Sequence, residues 1–223
     1  MNIVHISVTL VGEQYMPPQG GFTFRIVCMA EYKVAVLIDG GFLRVVAKRA
    51  KRTYDPDFIE RFAHACIAAD ENAFRILYYD CAPYSGTVKL PVSGDAHTFV
   101  SNDSWLHMLS RKDLFAVRRG VLKFRGFKPL RIPVAPSTLT DADFAPDFEQ
   151  KGVDMRIGLD IAAYSDRRVV DRIILVSGDT DCVPALKYGR KAGLQTVLVE
   201  PPTMKLAPEL LAHVDFKRIV NLP

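Results

Sequence analysis

Two hydrophobic periods alternate along the chain. An unbroken apolar run over 33–39, ending Leu-Ile-Asp before Gly40-Gly41, fits a strand buried on both faces of a sheet. Helical spacing follows over 42–51. Asp55-Pro56-Asp57 opens a second helix reaching 69, with Asp55 as its N-cap, Pro56 in its first turn and Phe58, Ile59, Phe62, Ala65, Cys66 and Ala69 along one stripe. The next strand is expected over 74–79. Between 84 and 150 the pattern breaks. A helical piece is read at 105–109, and short strands at 115–117 and 121–127 joined by a turn at Arg118-Arg119-Gly120, then a loop rich in Pro, Asp and Thr over 132–148. Regularity returns with a helix over 152–163, a strand over 172–176 and a helix over 184–192 that Gly193 stops. A strand at 196–199, a helical turn at 208–213 and a strand at 216–220 complete the series.

This order predicts an α/β fold with a mostly parallel central sheet and helices on both faces. The domain is read as 31–223, with an inserted segment at about 84–150. Residues 1–30 read as an N-terminal extension, poorly ordered or forming strands at 3–10 and 22–28. In such folds ligands bind beyond the carboxyl ends of the strands, where the strand order reverses. Asp39, Asp80, Asp179 and Asp181 all fall at those ends.

Composition adds limits. With 49% hydrophobic residues the chain can bury a core. No apolar run is long enough to span a bilayer, and the N-terminus lacks the pattern of a signal peptide. Cys28, Cys66, Cys81 and Cys182 have neither Cys-x-x-Cys spacing nor a His partner, so they read as buried thiols in a reducing cytoplasm. Oligomeric state is open, self-association included.

Charge is segregated. Residues 44–52 carry +5, from Arg44, Lys48, Arg49, Lys51 and Arg52, and residues 111–131 carry +7, although the whole chain carries +4. Two readings stay open: a solvated face with scattered pairs, or a surface for a polyanion. Phe115, Phe124 and Phe127 are interleaved with the second basic segment, and are either core residues or stacking platforms for bases.

The candidate chemistry lies in carboxylates. Ser177-Gly178-Asp179-Thr180-Asp181 follows a strand, Asp154 sits in a helix's first turn, and Asp39 ends the first strand. Singly, each could be a helix cap or a complement to the helix dipole. Together they point to a hard divalent cation, which would relieve their repulsion through oxygen ligands. Asp160, about 240° around the helix from Asp154, and Asp80, which leads into Cys-Ala-Pro, read as supporting residues. No nucleophile–histidine pair or phosphate-cradling Gly-Lys-Ser/Thr loop is present.

Leu-Ile-Asp-Gly-Gly-Phe, Tyr-Tyr-Asp-Cys-Ala-Pro, Lys-Gly-Val-Asp-Met and Ser-Gly-Asp-Thr-Asp-Cys-Val-Pro, in this order, resemble the NYN domain, a branch of the PIN-like nucleases. The resemblance implies a PIN-like three-layer α/β/α sandwich and RNA cleavage or processing. It also implies Mg²⁺ or Mn²⁺ held by Asp39, Asp154, Asp179 and Asp181. The expected activity is that of a metal-dependent endoribonuclease, with the cation polarising the scissile phosphate and activating water. Arg44, Lys48, Arg118, Arg119, Lys123, Arg125 and Lys151 would hold flanking phosphates. Two rival readings are a non-catalytic RNA-binding or regulatory module and a metal-dependent phosphatase for a small substrate.

Overall fold

A computed structural model describes residues 31–133 and 139–223. The expectations for 1–30, including the two strands and Cys28, lie outside the described residues. The apolar run forms β1 (Tyr32–Asp39), followed by α1 (Gly40–Arg49), α2 (Pro56–Ala65) and β2 (Glu71–Cys81). Next come β3 (Gly86–Lys89), β4 (Ala96–Phe99), α3 (Ser104–Ser110) and β5 (Phe115–Pro129). β6 (Phe144–Lys151), α4 (Val153–Arg167), β7 (Arg172–Val176), α5 (Val183–Lys191), β8 (Gln195–Glu200), α6 (Pro208–Leu211) and β9 (Phe216–Ile219) complete the chain.

Seven strands form the central sheet in the order β6-β5-β2-β1-β7-β8-β9, parallel throughout except for the antiparallel β5–β6 pair at one edge. Period two along β1 divides the core between two layers. Val34, Val36 and Ile38 face α1, α2 and α3, where Leu43, Phe58, Phe62 and Leu106 pack against them. Ala35 and Leu37 face α4, α5 and α6, meeting Ile157, Ile161, Leu186 and Leu210. The result is a three-layer α/β/α sandwich. Capping follows sequence logic, since Asp55 accepts a hydrogen bond from Phe58 N at 2.7 Å and Pro56 begins α2. No helix among the described residues is long and apolar enough to cross a membrane.

The segment read as an insertion needs three corrections. Residues 115–129 form one strand, not two with a turn at Arg118-Arg119-Gly120. Its first half pairs in parallel with β2, so this strand belongs to the central sheet. Arg118 and Arg119 look turn-like by polarity, but each has a tertiary partner, Asp160 and Asp103 respectively. Residues 144–148 were expected to be loop and instead belong to β6, an edge strand that tolerates Pro146. The hairpin β3–β4 was not anticipated. It is held by aromatic contacts of Tyr84 and Phe99 with Phe124 and Phe148, so Phe124 serves packing.

Candidate metal centre

The strand order reverses at β1, with β2 on one side and β7 on the other, and folds of this kind have their ligand crevice at the carboxyl ends of the strands at such a point. Asp39 ends β1 there. Its side chain caps α1, accepting from Phe42 N at 3.1 Å, so the capping reading of this residue holds alongside its place in the crevice. Across the crevice, the fully buried Ser177 follows β7. Its hydroxyl donates to Asp39 Oδ2 at 3.4 Å and accepts from Asp179 N at 3.1 Å. Ser177 thus ties the first strand to the later acidic motif, a role its small polar side chain did not announce in the sequence.

Asp179 closes a tight turn by accepting from Asp181 N at 2.9 Å. Asp154 enters from the first turn of α4, whose N-cap Gly152 takes the left-handed conformation at φ 77°. Asp154, Asp179 and Asp181 each bring one carboxylate oxygen to within 4.8 Å of the others. Asp39 stands beside this trio rather than within it. Its carboxyl is pushed up to about 6, first by burial and further by the charges of Asp154 and Asp80. Asp154 is also raised, by burial and by Asp179 and Asp181. Among the described residues no lysine or arginine forms an ion pair with any of these four aspartates. An all-oxygen, net-negative, uncompensated set suits a hard cation such as Mg²⁺ or Mn²⁺.

Asp80 is different. It is buried and fully engaged: Oδ2 accepts from the Arg44 guanidinium and from Tyr78 OH at 2.9 Å, while Oδ1 accepts from Cys81 N at 2.7 Å and Gln150 Nε2 at 3.3 Å. Tyr78 OH in turn meets Tyr54 OH at 2.6 Å, and burial raises the phenols of both tyrosines. Asp160 is likewise occupied, by Tyr79 OH at 2.8 Å and by Arg118. The supporting reading of both acids matches these contacts.

The basic candidates divide by partner. Arg44 pairs with Asp80, Arg118 with Asp160 and Arg119 with Asp103. Arg125 and Lys151 share Glu149, at 3.4 and 2.5 Å. Lys48 and Lys123 are exposed and form no ion pair among the described residues. Sequence reasoning missed Gln150, the residue before Lys-Gly-Val-Asp, which reaches from β6 to Asp80 beside the crevice.

The family model described as the NYN domain matches residues 33–218. A crystal structure of a protein of unknown function from Vibrio parahaemolyticus is similar at TM-score 0.50 and 16% identity, over 87% of this chain and 94% of that one. This likeness concerns the fold alone. Reduced CoADR-RHD from Bacillus anthracis aligns over 86% of this chain and 38% of its own, with 12% identity and a TM-score of 0.21, too low to bear on the fold. No curated protein matches the chain.

Proposed function

This chain belongs to the NYN domain family, and on that premise we propose that it is a metal-dependent endoribonuclease acting through Asp39, Asp154, Asp179 and Asp181. The observation that carries this reading is the convergence of three carboxylate oxygens within 4.8 Å of one another, with no ion pair to a lysine or arginine among the described residues. Asp154, Asp179 and Asp181 would hold Mg²⁺ or Mn²⁺. When bound, the cation supplies electrophilic stabilisation of the scissile phosphate and activation of water. Asp39, buried at the end of β1 and close enough to Asp154 to feel its charge, would add a fourth carboxylate to the cation's surroundings. Lys48 and Lys123, exposed and unpaired among the described residues, supply charge for flanking phosphates. Arg44, Arg118, Arg119, Arg125 and Lys151 add to the same field while held by acidic neighbours.

The test is cleavage of single-stranded RNA by the purified chain in Mn²⁺ or Mg²⁺. Asp179→Asn is expected to lower the rate at least about 100-fold, and EDTA to abolish cleavage. Full activity in either condition overturns the proposal. RNA binding that weakens with salt but yields no cleavage by the wild type would assign the chain to a binding or regulatory role instead. Hydrolysis of small phosphate esters that survives charge reversal at Arg118 and Arg119, without RNA cleavage, would favour a phosphatase.

A further inference from the structure

The two basic segments of the chain differ in their partners. In residues 111–131, Lys112, Arg118, Arg119, Arg125 and Lys128 each pair with an acidic side chain. In residues 44–52 only Arg44 does, through Asp80. Lys48, Arg49, Lys51 and Arg52 are exposed, and none forms an ion pair among the described residues. The helix does not need all four. Lys48 and Arg49, in its last turn, suffice to complement the dipole of α1. Lys51 adds strain instead. Its N–H donates to Lys48 O at 3.1 Å and Arg52 N–H donates to Ala47 O at 2.9 Å, a left-handed cap that ends α1. Lys51 stands in this cap at φ 54°, where a glycine would be unstrained. A glycine would close the same cap, so what the lysine adds is a charge.

These cations lie on a line that starts at the aspartates. α1 begins at Gly40, directly after Asp39. Arg44 opens the series through its pair with Asp80, whose charge reaches Asp39. Lys48 lies about 12 Å along the axis from Gly40, at about 1.5 Å per residue, and Lys51 and Arg52 follow at the cap. Stacked nucleotides advance about 3.4 Å each, so the run from crevice to cap spans about four or five of them. Within 44–52 Val45 is the one large apolar side chain that is exposed, too little to anchor the helix in a lipid surface. Resting on the ribonuclease reading above, we propose that the RNA strand leaves the crevice along α1, with Lys48, Arg49, Lys51 and Arg52 holding its backbone phosphates on one side of the cleavage point.

The consequence is read from binding and needs no turnover. Fluorescein-labelled single-stranded RNA is titrated with the full chain in calcium chloride, which supplies a hard cation with similar oxygen ligands, over a series of potassium chloride concentrations. Anisotropy gives the affinity at each. Every phosphate held by a cation contributes about 0.7 to the slope of log affinity against log salt. The variant Lys48→Gln/Arg49→Gln/Lys51→Gly/Arg52→Gln should show a slope shallower by about two to three and an affinity about 100-fold lower at about 0.1 M salt. Lys51→Gly alone should lose about 0.7 of slope with no fall in melting temperature, because glycine relieves the cap. The control Lys128→Gln/Lys187→Gln/Lys191→Gln/Lys205→Gln removes the same net charge from other exposed positions and should keep the wild-type slope.

A wild-type slope in the α1 variant, or an equal change in the control, overturns the proposal. So does a lower melting temperature with an unchanged slope, which would mean that the cations serve the helix alone. Unchanged RNA binding with lost sedimentation on vesicles of phosphatidylserine and phosphatidylcholine would assign the surface to a membrane and overturn it as well. Cleavage in Mn²⁺ is scored separately, and there the α1 variant should raise KM and leave kcat in place. A chain that binds RNA through α1 yet never cuts it refutes the ribonuclease and leaves the binding surface standing. One that cuts RNA with the same KM in the α1 variant refutes only the path of the strand.

Discussion

Phe42 lays its ring directly against Gly178: a Cβ at Gly178 would stand 2.6 Å from Phe42 Cε2 and 3.0 Å from Cδ2. Phe42 is also the residue whose backbone N–H caps through Asp39. One aromatic side chain therefore sets the spacing between the first-strand carboxylate and the turn that presents Asp179 and Asp181.

Gly178→Ala should disturb that spacing. The added methyl cannot be accommodated unless Phe42 or the turn moves, at a cost of about 1–3 kcal/mol. Displacing Asp179 from Asp39 by even a fraction of an ångström should reduce the cleavage rate by more than about ten-fold. Melting temperature and single-turnover rate measured on the same preparation check both effects. A variant as active as the wild type would show that the spacing is not critical.

The acidic crevice should also oppose folding when no cation is bound. Asp39 binds its proton more tightly in the folded chain, with its carboxyl raised from 3.8 to about 6. The folded state therefore holds more protons than the unfolded state across that window, and stability falls as pH rises through it, then levels off. In EDTA at about pH 8, Asp39→Asn should be more stable than the wild type by about 1–3 kcal/mol, with the gain vanishing below about pH 4. Mn²⁺ competes with the proton, so it should raise the wild-type melting temperature more at about pH 8 than at about pH 5. Urea unfolding and thermal melts across pH, with and without Mn²⁺, measure both trends. Equal stability of the two proteins at all pH values would show that burial of Asp39 carries no cost.

Much of this architecture was legible because strands buried on both faces leave unbroken apolar runs. That is true of β1 and of β7, where the apolar residues from Ile173 to Val176 are all buried. The edge of the sheet was less legible for the converse reason. β6 contains Pro146 and several charged or amide side chains, and its pairing with β5 places Lys123 opposite Glu149 and Phe124 opposite Phe148, a match invisible within either segment alone. Gly120 reads as a turn residue, yet it is small because Cys81 Sγ and the Lys151 carbonyl would each lie 2.8 Å from a Cβ there. At the crevice, aspartates at strand ends and a helix start were readable as candidates. Gln150 was not, since nothing about a glutamine on a polar strand tells that Asp80 waits for it across the sheet edge.

At the opposite end of the strands a second electrostatic cluster bears on stability. Glu71, which opens β2, has a side chain with no exposure. It accepts from Arg172 Nη1 at 2.5 Å and from Arg218 Nη1 and Nη2 at 2.8 Å each. The amide of Ala68 adds a hydrogen bond at 2.7 Å, and Arg172 also stacks over the Tyr32 ring at 4.0 Å. Burial pushes the Glu71 carboxyl up, but the arginines and this amide outweigh it and hold the group at about 2, against an ordinary 4.5. The unfolded chain thus binds the proton more readily, so the cluster's contribution is complete above about pH 4.5 and is lost as pH falls towards 2. Glu71→Ala leaves Arg172, itself buried, without its carboxylate and should destabilise the fold by about 3–5 kcal/mol near neutral pH. The loss should shrink steadily on acidification. Because Glu71 lies at the end of the sheet away from the aspartates, the fraction that remains folded should bind Mn²⁺ with unchanged affinity. Denaturant midpoints measured across pH, together with a Mn²⁺ titration, test the assignment. A loss independent of pH would mean that packing, not the ion cluster, accounts for the effect.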